Sequence, residues 1–482
     1  MMRQSRHSKM KNTFDFRIHD ALADRQLHVA LDRVLMNAGA QREQGMSSLA
    51  DVEAVRDRAR LIRARTLSHL DEHLDRFANA VELAGGEIHF AADASEACRI
   101  VLHLCRAQRV GRAVKSKSMV SEEIGLNPAL ESSGIEVYES DLGEYIIQLA
   151  GERPSDILAP AMHKTREQVG RLFHEKLGIS MTDDPVKLAA AARRSLRKVF
   201  LTADVGISGV NFGVAETGTI CTVTNEGNGR LTTTTPRMHI ALMGIERIVP
   251  TLKDLSTMLQ ILARSTTGQK LSVYTNLLTG PRRSDEADGP QELHIVLIDN
   301  GRSRVLASRV AEILYCIRCG ACLRACPVFR EIGGHAYGSV YPGPIGSVLT
   351  PALQGMEQWC DLPHASSLCG ACAEVCPVRI QIPQLLLYER EELWRAGRRP
   401  LWLRTGLRAY REAVVHPKLF RFMTFLARAM TRGFAARGNR WIKWLPPPLS
   451  GWTDHRDFPA FSAQSLSRQI RTNQKTRSLS DK

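Results

Sequence analysis

A chain of 482 residues is long enough for two to four domains. Its apolar share of 44% and charged share of 24% are those of soluble folds, which excludes a wholly disordered, collagenous or coiled-coil protein. The 65 Lys and Arg exceed the 50 Asp and Glu by 15, a surplus that suits nucleic acid, another acidic partner or an anionic membrane face. No run of 18 apolar residues occurs, and the opening MMRQSRHSKMKNTFDF lacks an apolar core, so a cytoplasmic protein is expected.

The first 45 or so residues mix charges without sustained periodicity. From Val55 through Ala59, Ile62, Leu70, Leu74 and Phe77 to Val81 the apolar residues recur at helical spacing, which predicts one long amphipathic helix ending at Gly85-Gly86 and a helical region over 1–86. Beyond Glu87, β-like runs (Ile88–Phe90, Ile135–Tyr138, Asp156–Ala159) alternate with helical stretches (Ser95–Gln108, Lys164–Leu177). This alternation predicts an α/β domain with a mainly parallel sheet over 87–303, which runs at Thr219–Thr224, His239–Met243 and His294–Ile298 extend. Arg304–Ile317 reads as a helix leading into a cysteine-rich domain at 304–380. A basic helical segment at 381–445 follows. The polar tail at 446–482, opening on three prolines, is expected to lose order.

Eight of the eleven cysteines fall in the cysteine-rich segment, seven of them in two tightly spaced motifs. Cys316-Ile-Arg-Cys319-Gly-Ala-Cys322-Leu-Arg-Ala-Cys326-Pro327 has the C-x₂-C-x₂-C-x₃-C-P spacing of bacterial two-cluster ferredoxins. Three thiolates at two-residue gaps converge on one cubane, and the fourth points to a second cluster. Cys369-Gly-Ala-Cys372-Ala-Glu-Val-Cys376-Pro377 repeats the pattern with Ser366 at the leading position. Crossed ligation then gives Cys316, Cys319, Cys322 and Cys376 to cluster 1, and Cys326, Cys369 and Cys372 to cluster 2. Cluster 2 lacks an obvious fourth ligand. Structural zinc is the competing reading of C-x₂-C pairs. Recurrent triplets with Cys-Pro endings favour two [4Fe-4S] clusters. Cys98, Cys105 and Cys221 read as small buried hydrophobes, and Cys360 as a bystander or spare ligand.

These motifs, with Tyr341-Pro-Gly-Pro-Ile-Gly-Ser-Val-Leu-Thr-Pro351 between them, resemble the lactate-utilisation protein B family of iron–sulfur proteins. Lys115-Ser-Lys-Ser-Met-Val-Ser-Glu-Glu-Ile124, Asn211-Phe-Gly-Val-Ala-Glu-Thr-Gly-Thr-Ile220 and Gly244-Ile-Glu-Arg-Ile-Val-Pro-Thr-Leu252 extend the resemblance, which covers about residues 15–450. It implies an α/β fold similar to the sugar-phosphate isomerase and CoA-transferase class. It also implies that the chain is the cluster-bearing subunit of a three-protein assembly oxidising L-lactate to pyruvate. The seven-cysteine pattern is then a family property. No catalytic residue is implied.

Three further features carry chemistry. The glycine-rich stretch Ile207–Thr219 offers backbone amides for a carboxylate or phosphate, or is simply a tight loop. Within it Glu216 is the one carboxylate, a nucleophile in an alternative transferase-like or redox-sensing reading. Lys115 and Lys117 could bind a substrate carboxylate or form a solvated edge. The arginines between Arg395 and Lys443, interleaved with Trp402, Phe420, Phe422, Phe425 and Trp444, have few balancing acids. Nucleic acid is not expected, because no recognised binding signature accompanies them. The remaining readings are peripheral contact with an anionic membrane, where a quinone acceptor resides, and a helical pair that packs its aromatics and solvates its basic face.

Overall fold

The computed structural model describes residues 13–397, 401–434, 441–446, 449–453, 456–462 and 470. It divides into two compact units, one ending at Ala396 and one beginning at Gly397.

The first unit is built on ten strands: β1 (Glu87–Ala91), β2 (Arg112–Lys115), β3 (Glu136–Glu139), β4 (Val205–Gly209), β5 (Phe212–Val214), β6 (Thr219–Thr224), β7 (Met238–Gly244), β8 (Ile248–Val249), β9 (Tyr274–Leu278) and β10 (Glu292–Ile298). Six of them form a parallel sheet in the order β1-β10-β7-β4-β2-β3. Both Met238-His-Ile-Ala-Leu-Met-Gly244 and Leu293-His-Ile-Val-Leu-Ile298 are buried along their length, as central strands covered on both faces must be. Ala97, Val101 and Cys105 of the helix Ala94–Ala107 pack on one part of this core, and Leu188, Ala192 and Leu196 of the helix Pro185–Thr202 on another. Gly206 permits close passage of the helix Asn228–Thr234, since a Cβ there would lie 1.8 Å from the Thr232 carbonyl oxygen.

Four expectations are corrected. Thr219–Thr224 does not extend the parallel sheet; it is the centre of a second sheet, β8-β5-β6-β9, with antiparallel partners β5 and β9. The single long helix is two, Val52–Ser68 and Leu70–Leu83, because His69 leaves the helical region at φ −131° and ψ 41°. Both helices feed the core, the first through Ala59, Ile62 and Leu67 and the second through Phe77 and Val81, while Arg56, Arg60 and Arg63 of the first also reach the cysteine-rich segment. Asp156–Ala159 is a turn, held by Asp156 Oδ1 accepting from the amides of Leu158 and Ala159, each at 2.8 Å. Finally, Arg304–Ile317 is not one helix but a short helix ending at Leu306 and a 3₁₀ turn over Ala311–Tyr315. Arg63 and Arg247 take the carbonyls of Leu314 and Cys316 at 2.9 and 3.2 Å.

Residues 14–47 form three helices, Phe14–Ala23, Arg25–Leu35 and Ala38–Ser47, the first two capped by Thr13 and Asp24. They put Leu31 and Leu35 into the core and meet the cysteine-rich segment through Arg17 to the Ala336 carbonyl at 2.9 Å, Asp32 to Arg330 at 2.9 Å and Arg42 to the Val375 carbonyl at 3.1 Å.

The second unit contains the helices Leu401–Val415 and Pro417–Phe434 and a short antiparallel pair, Trp441–Ile442 with Phe458–Pro459. Phe420, Phe422 and Phe425 are exposed. The expected loss of order over 446–482 falls mostly on 463–469 and 471–482, which lie outside the described residues. Among the described residues, no helix is long and apolar enough to cross a membrane.

Candidate functional site

The two cysteine motifs fold as near repeats. Each enters on a left-handed residue, Arg318 (φ 58°) or Leu368 (φ 56°), and turns at a left-handed glycine, Gly320 (φ 78°) or Gly370 (φ 89°). Each then makes one helical turn, Ala321–Arg324 or Ala371–Glu374. Glycine is favoured at the second position because an L side chain there adds the strain of a left-handed backbone. Backbone amides point at sulfur: Arg318 to Cys316 at 3.3 Å, Phe329 to Cys326 at 3.4 Å and Ile380 to Cys376 at 3.3 Å.

The first predicted set comes together. Cys316, Cys319, Cys322 and Cys376 line one small cavity walled by Ile157, Ile345 and Ile380. Burial, with Cys316 and Cys376 nearby, pushes the Cys319 thiol up to about 12, and the same kind of surroundings push Cys376 up to about 11. Cys326 and Cys372 are likewise raised, first by burial and then by each other or by Cys369, so the second set is also a neighbourhood. Burial raises the thiols of Cys319, Cys322 and Cys376, which are therefore suited to become thiolates only on a positively charged iron centre. Among the described residues no three cysteine sulfurs come within 4.8 Å of one another, whereas four sulfurs bound at 2.3 Å to one zinc lie about 3.8 Å apart. Cys369 is exposed, whereas Cys319, Cys326, Cys372 and Cys376 are buried.

A larger cavity, about 370 Å³, opens where the parallel strands end. Lys117 follows β2, Asn211 follows β4 and Arg247 follows β7, and all three line it with Arg318, Cys319 and Tyr341. Such a crevice beyond the carboxyl ends of parallel strands is the usual ligand position in open α/β sheets. Cys319 lines both cavities.

The wall of the large cavity is a buried charge network. Glu246 bonds Arg302 at 2.6 Å, with Arg318 at 3.4 Å and Arg247 at 3.9 Å; Glu123 holds the other edge of Arg302 at 2.8 Å. Burial opposes charge on Glu246, but Arg302, Arg247 and Arg318 outweigh it and hold its carboxyl at about 2. Tyr341 donates to Glu123 at 2.5 Å, and its ring lies under Arg318, 4.6 Å from centroid to guanidinium carbon. Arg318 Nη1 is buried with no hydrogen-bond partner. A desolvated guanidinium edge on a cavity wall is suited to a carboxylate.

The other residues singled out from sequence go elsewhere. Lys115 is buried against Glu139 and Glu122 at 2.8 and 3.0 Å and does not line the cavity. Lys117 does, donating to the Leu158 carbonyl at 2.6 Å. Glu216 accepts from the Leu252 amide at 2.6 Å, capping the helix Leu252–Leu262, and is absent from the cavity wall. Of the glycine-rich stretch, Gly209 lines the cavity, and a Cβ on it would meet Ser118 at 2.9 Å. Cys105 and Cys221 are buried and pushed up to about 12 by desolvation; Cys98 is part-buried. The network Glu123, Glu246, Arg247, Arg302, Arg318 and Tyr341 was not singled out residue by residue. All its members but Arg302 sit inside the quoted motifs, and only the fold brings them together.

Three family models match: the LUD domain over 74–298, the 4Fe-4S dicluster domain over 312–380, and the C-terminal region of lactate utilisation protein B over 394–475. The chain is thus a 4Fe-4S dicluster protein, with two clusters. Lactate utilization protein B of Geobacillus thermodenitrificans is 46% identical over 444 residues, 92% of this chain and 93% of its own. That of Macrococcus caseolyticus is 46% identical over 85% of this chain and 87% of its own. An uncharacterized electron transport protein of Escherichia coli, YkgF, is 42% identical over 95% of this chain and 96% of its own. A solved DUF162 family protein from Deinococcus radiodurans aligns with 48% of this chain and 98% of its own at 14% identity and a TM-score of 0.28, too distant to extend the description of the fold.

Proposed function

The chain belongs to the lactate utilisation protein B family, and from that premise we propose that it is the iron–sulfur oxidoreductase subunit of a multi-protein assembly that oxidises L-lactate to pyruvate. One observation carries the reading: Cys319 is shared between the four-cysteine chamber and the arginine-walled cavity. A substrate in that cavity lies beside the first cluster's ligands.

Cys316, Cys319, Cys322 and Cys376 hold the first cluster in this proposal, and Cys326, Cys369 and Cys372 the second, with Ser366 as its oxygen ligand. Each [4Fe-4S] centre accepts one electron, so the pair matches the two electrons released with two protons as lactate becomes pyruvate. Arg247 and Arg318 receive the substrate carboxylate; Tyr341 and Glu123 fix the orientation of Arg318 and Arg302. Exposure of Cys369 makes the second set the exit side, towards a partner subunit or a quinone. The α/β domain is proposed to have a fold similar to the sugar-phosphate isomerase and CoA-transferase class, without its glutamate chemistry. A redox-sensing or transferase role at the glycine-rich stretch is disfavoured by the capping position of Glu216.

The test is equilibrium binding of labelled L-lactate to the anaerobically purified protein with its partner proteins. Arg247→Gln should weaken binding about 10- to 100-fold, the worth of one charge-assisted contact, at unchanged iron content. Equal binding by the variant contradicts the assignment. Peripheral membrane contact is proposed for the helices of the second unit, where Phe422 and Phe425 are 61% and 65% exposed beside Arg421 and Arg428. Anionic phospholipid vesicles should capture the protein at low salt and release it at high salt; no capture contradicts this part.

A further inference from the structure

At the amino-terminal ends of β1 and β10, the end of the sheet opposite the large cavity, one carboxylate and two imidazoles meet. Strand register brings them there. Glu87 pairs with His294 across the two strands, and His89 follows Glu87 by two residues on the same face. His89 Nε2 lies 3.2 Å from His294 Nδ1, and His294 Nδ1 lies 3.4 Å from Glu87 Oε2. One ligand atom from each of the three falls within 4.8 Å of the others, the one such group of His, Cys, Asp or Glu among the described residues.

These separations are those of a metal's ligand shell. Nitrogen and oxygen ligands at 2.0–2.1 Å around a tetrahedral ion are about 3.3 Å apart. A second observation comes from the far side of the ring. His294 is 4% exposed, and its Nε2 is buried without a hydrogen-bond partner, 3.7 Å from Glu292 Oε2. A cation on Nδ1 places the ring proton on Nε2, facing the Glu292 carboxylate, which is the usual second partner of a metal-bound histidine.

We propose that Glu87, His89 and His294 form a binding site for one Zn²⁺, with solvent as the fourth ligand, clamping the edge strand β1 to β10. Two imidazoles with one carboxylate select a borderline cation such as zinc over Mg²⁺ or Ca²⁺. The Glu87 side chain is 67% exposed, which gives the ion an entry path. The site is remote from the cysteine chambers and independent of the lactate reading.

The experiment loads the anaerobic, cluster-containing protein with Zn²⁺, removes free metal by gel filtration, and measures zinc and iron by elemental analysis. The parent should retain one zinc per chain more than His89→Gln, at equal iron content. Glu292→Gln should weaken zinc binding 10- to 100-fold. Zinc should also slow hydrogen exchange in β1 of the parent and not of the variant. Glu87→Gln alters an exposed side chain and repeats the test should His89→Gln fold poorly. Equal zinc in parent and variants, or none in the parent, overturns the proposal.

Discussion

Ser366 stands to the Leu368 amide, at 3.1 Å, as Cys316 stands to the Arg318 amide, at 3.3 Å. The serine therefore has the backbone setting of a leading cluster ligand, with oxygen in place of sulfur. An oxygen-ligated iron is harder and more easily lost than a thiolate-ligated one. Ser366→Cys should make the second cluster more resistant to air and change its low-temperature paramagnetic resonance signal. Cys360→Ser should leave both unchanged. If Cys360→Ser removes one cluster while Ser366→Cys has no effect, Cys360 is the ligand instead.

Glu216→Gln should retain lactate oxidation. Its carboxylate accepts from the Leu252 amide at the start of the helix Leu252–Leu262, a role the glutamine carbonyl can keep, so the substitution should cost less than about 1 kcal/mol of local stability and leave turnover near that of the parent. Turnover and thermal denaturation together check this. Abolished turnover with intact clusters would support the transferase-like reading.

How much of this was legible differs between the two parts of the site. The cysteine spacing points to the proposed ligands, because a cubane constrains residues a few positions apart, and the fold brings Cys376 to the cavity that Cys316, Cys319 and Cys322 line. The short Ile88-His-Phe90 run marked β1, and the positions of β7 and β10 were clear, their apolar runs being long and bounded. His69 was not, since a helix break with apolar residues in phase on both sides leaves the periodicity intact. Arg318 looks like a spacer within Cys316–Cys319. Its meaning depends on Glu246 and Tyr341, 72 residues before it and 23 after, which only the folded chain brings together.

Acid should loosen the segment around His163 before the rest of the first unit. Its ring bonds Ser155 and Glu152, each at 2.8 Å, and packs edge-on against His335 at 4.4 Å. Burial outweighs the Glu152 hydrogen bond and lowers the His163 pKa from 6.5 to about 4. The unfolded state thus binds the proton more readily. The stabilisation is fully present above about pH 6.5 and is lost as pH falls towards 4, up to about 3 kcal/mol. Hydrogen-exchange protection over residues 152–163, corrected for intrinsic rates, should fall between pH 7 and 5 in the parent and much less in His163→Gln. Protection that is flat with pH in the parent would contradict it.

The most direct test of the central claim is an anaerobic titration of the reconstituted assembly with L-lactate, followed by paramagnetic resonance of this chain's clusters. Lactate should reduce them, approaching two electrons per chain, with pyruvate formed in step and with loss of the response in Cys319→Ser. Clusters that stay oxidised under lactate, yet are reduced by dithionite, would contradict the account.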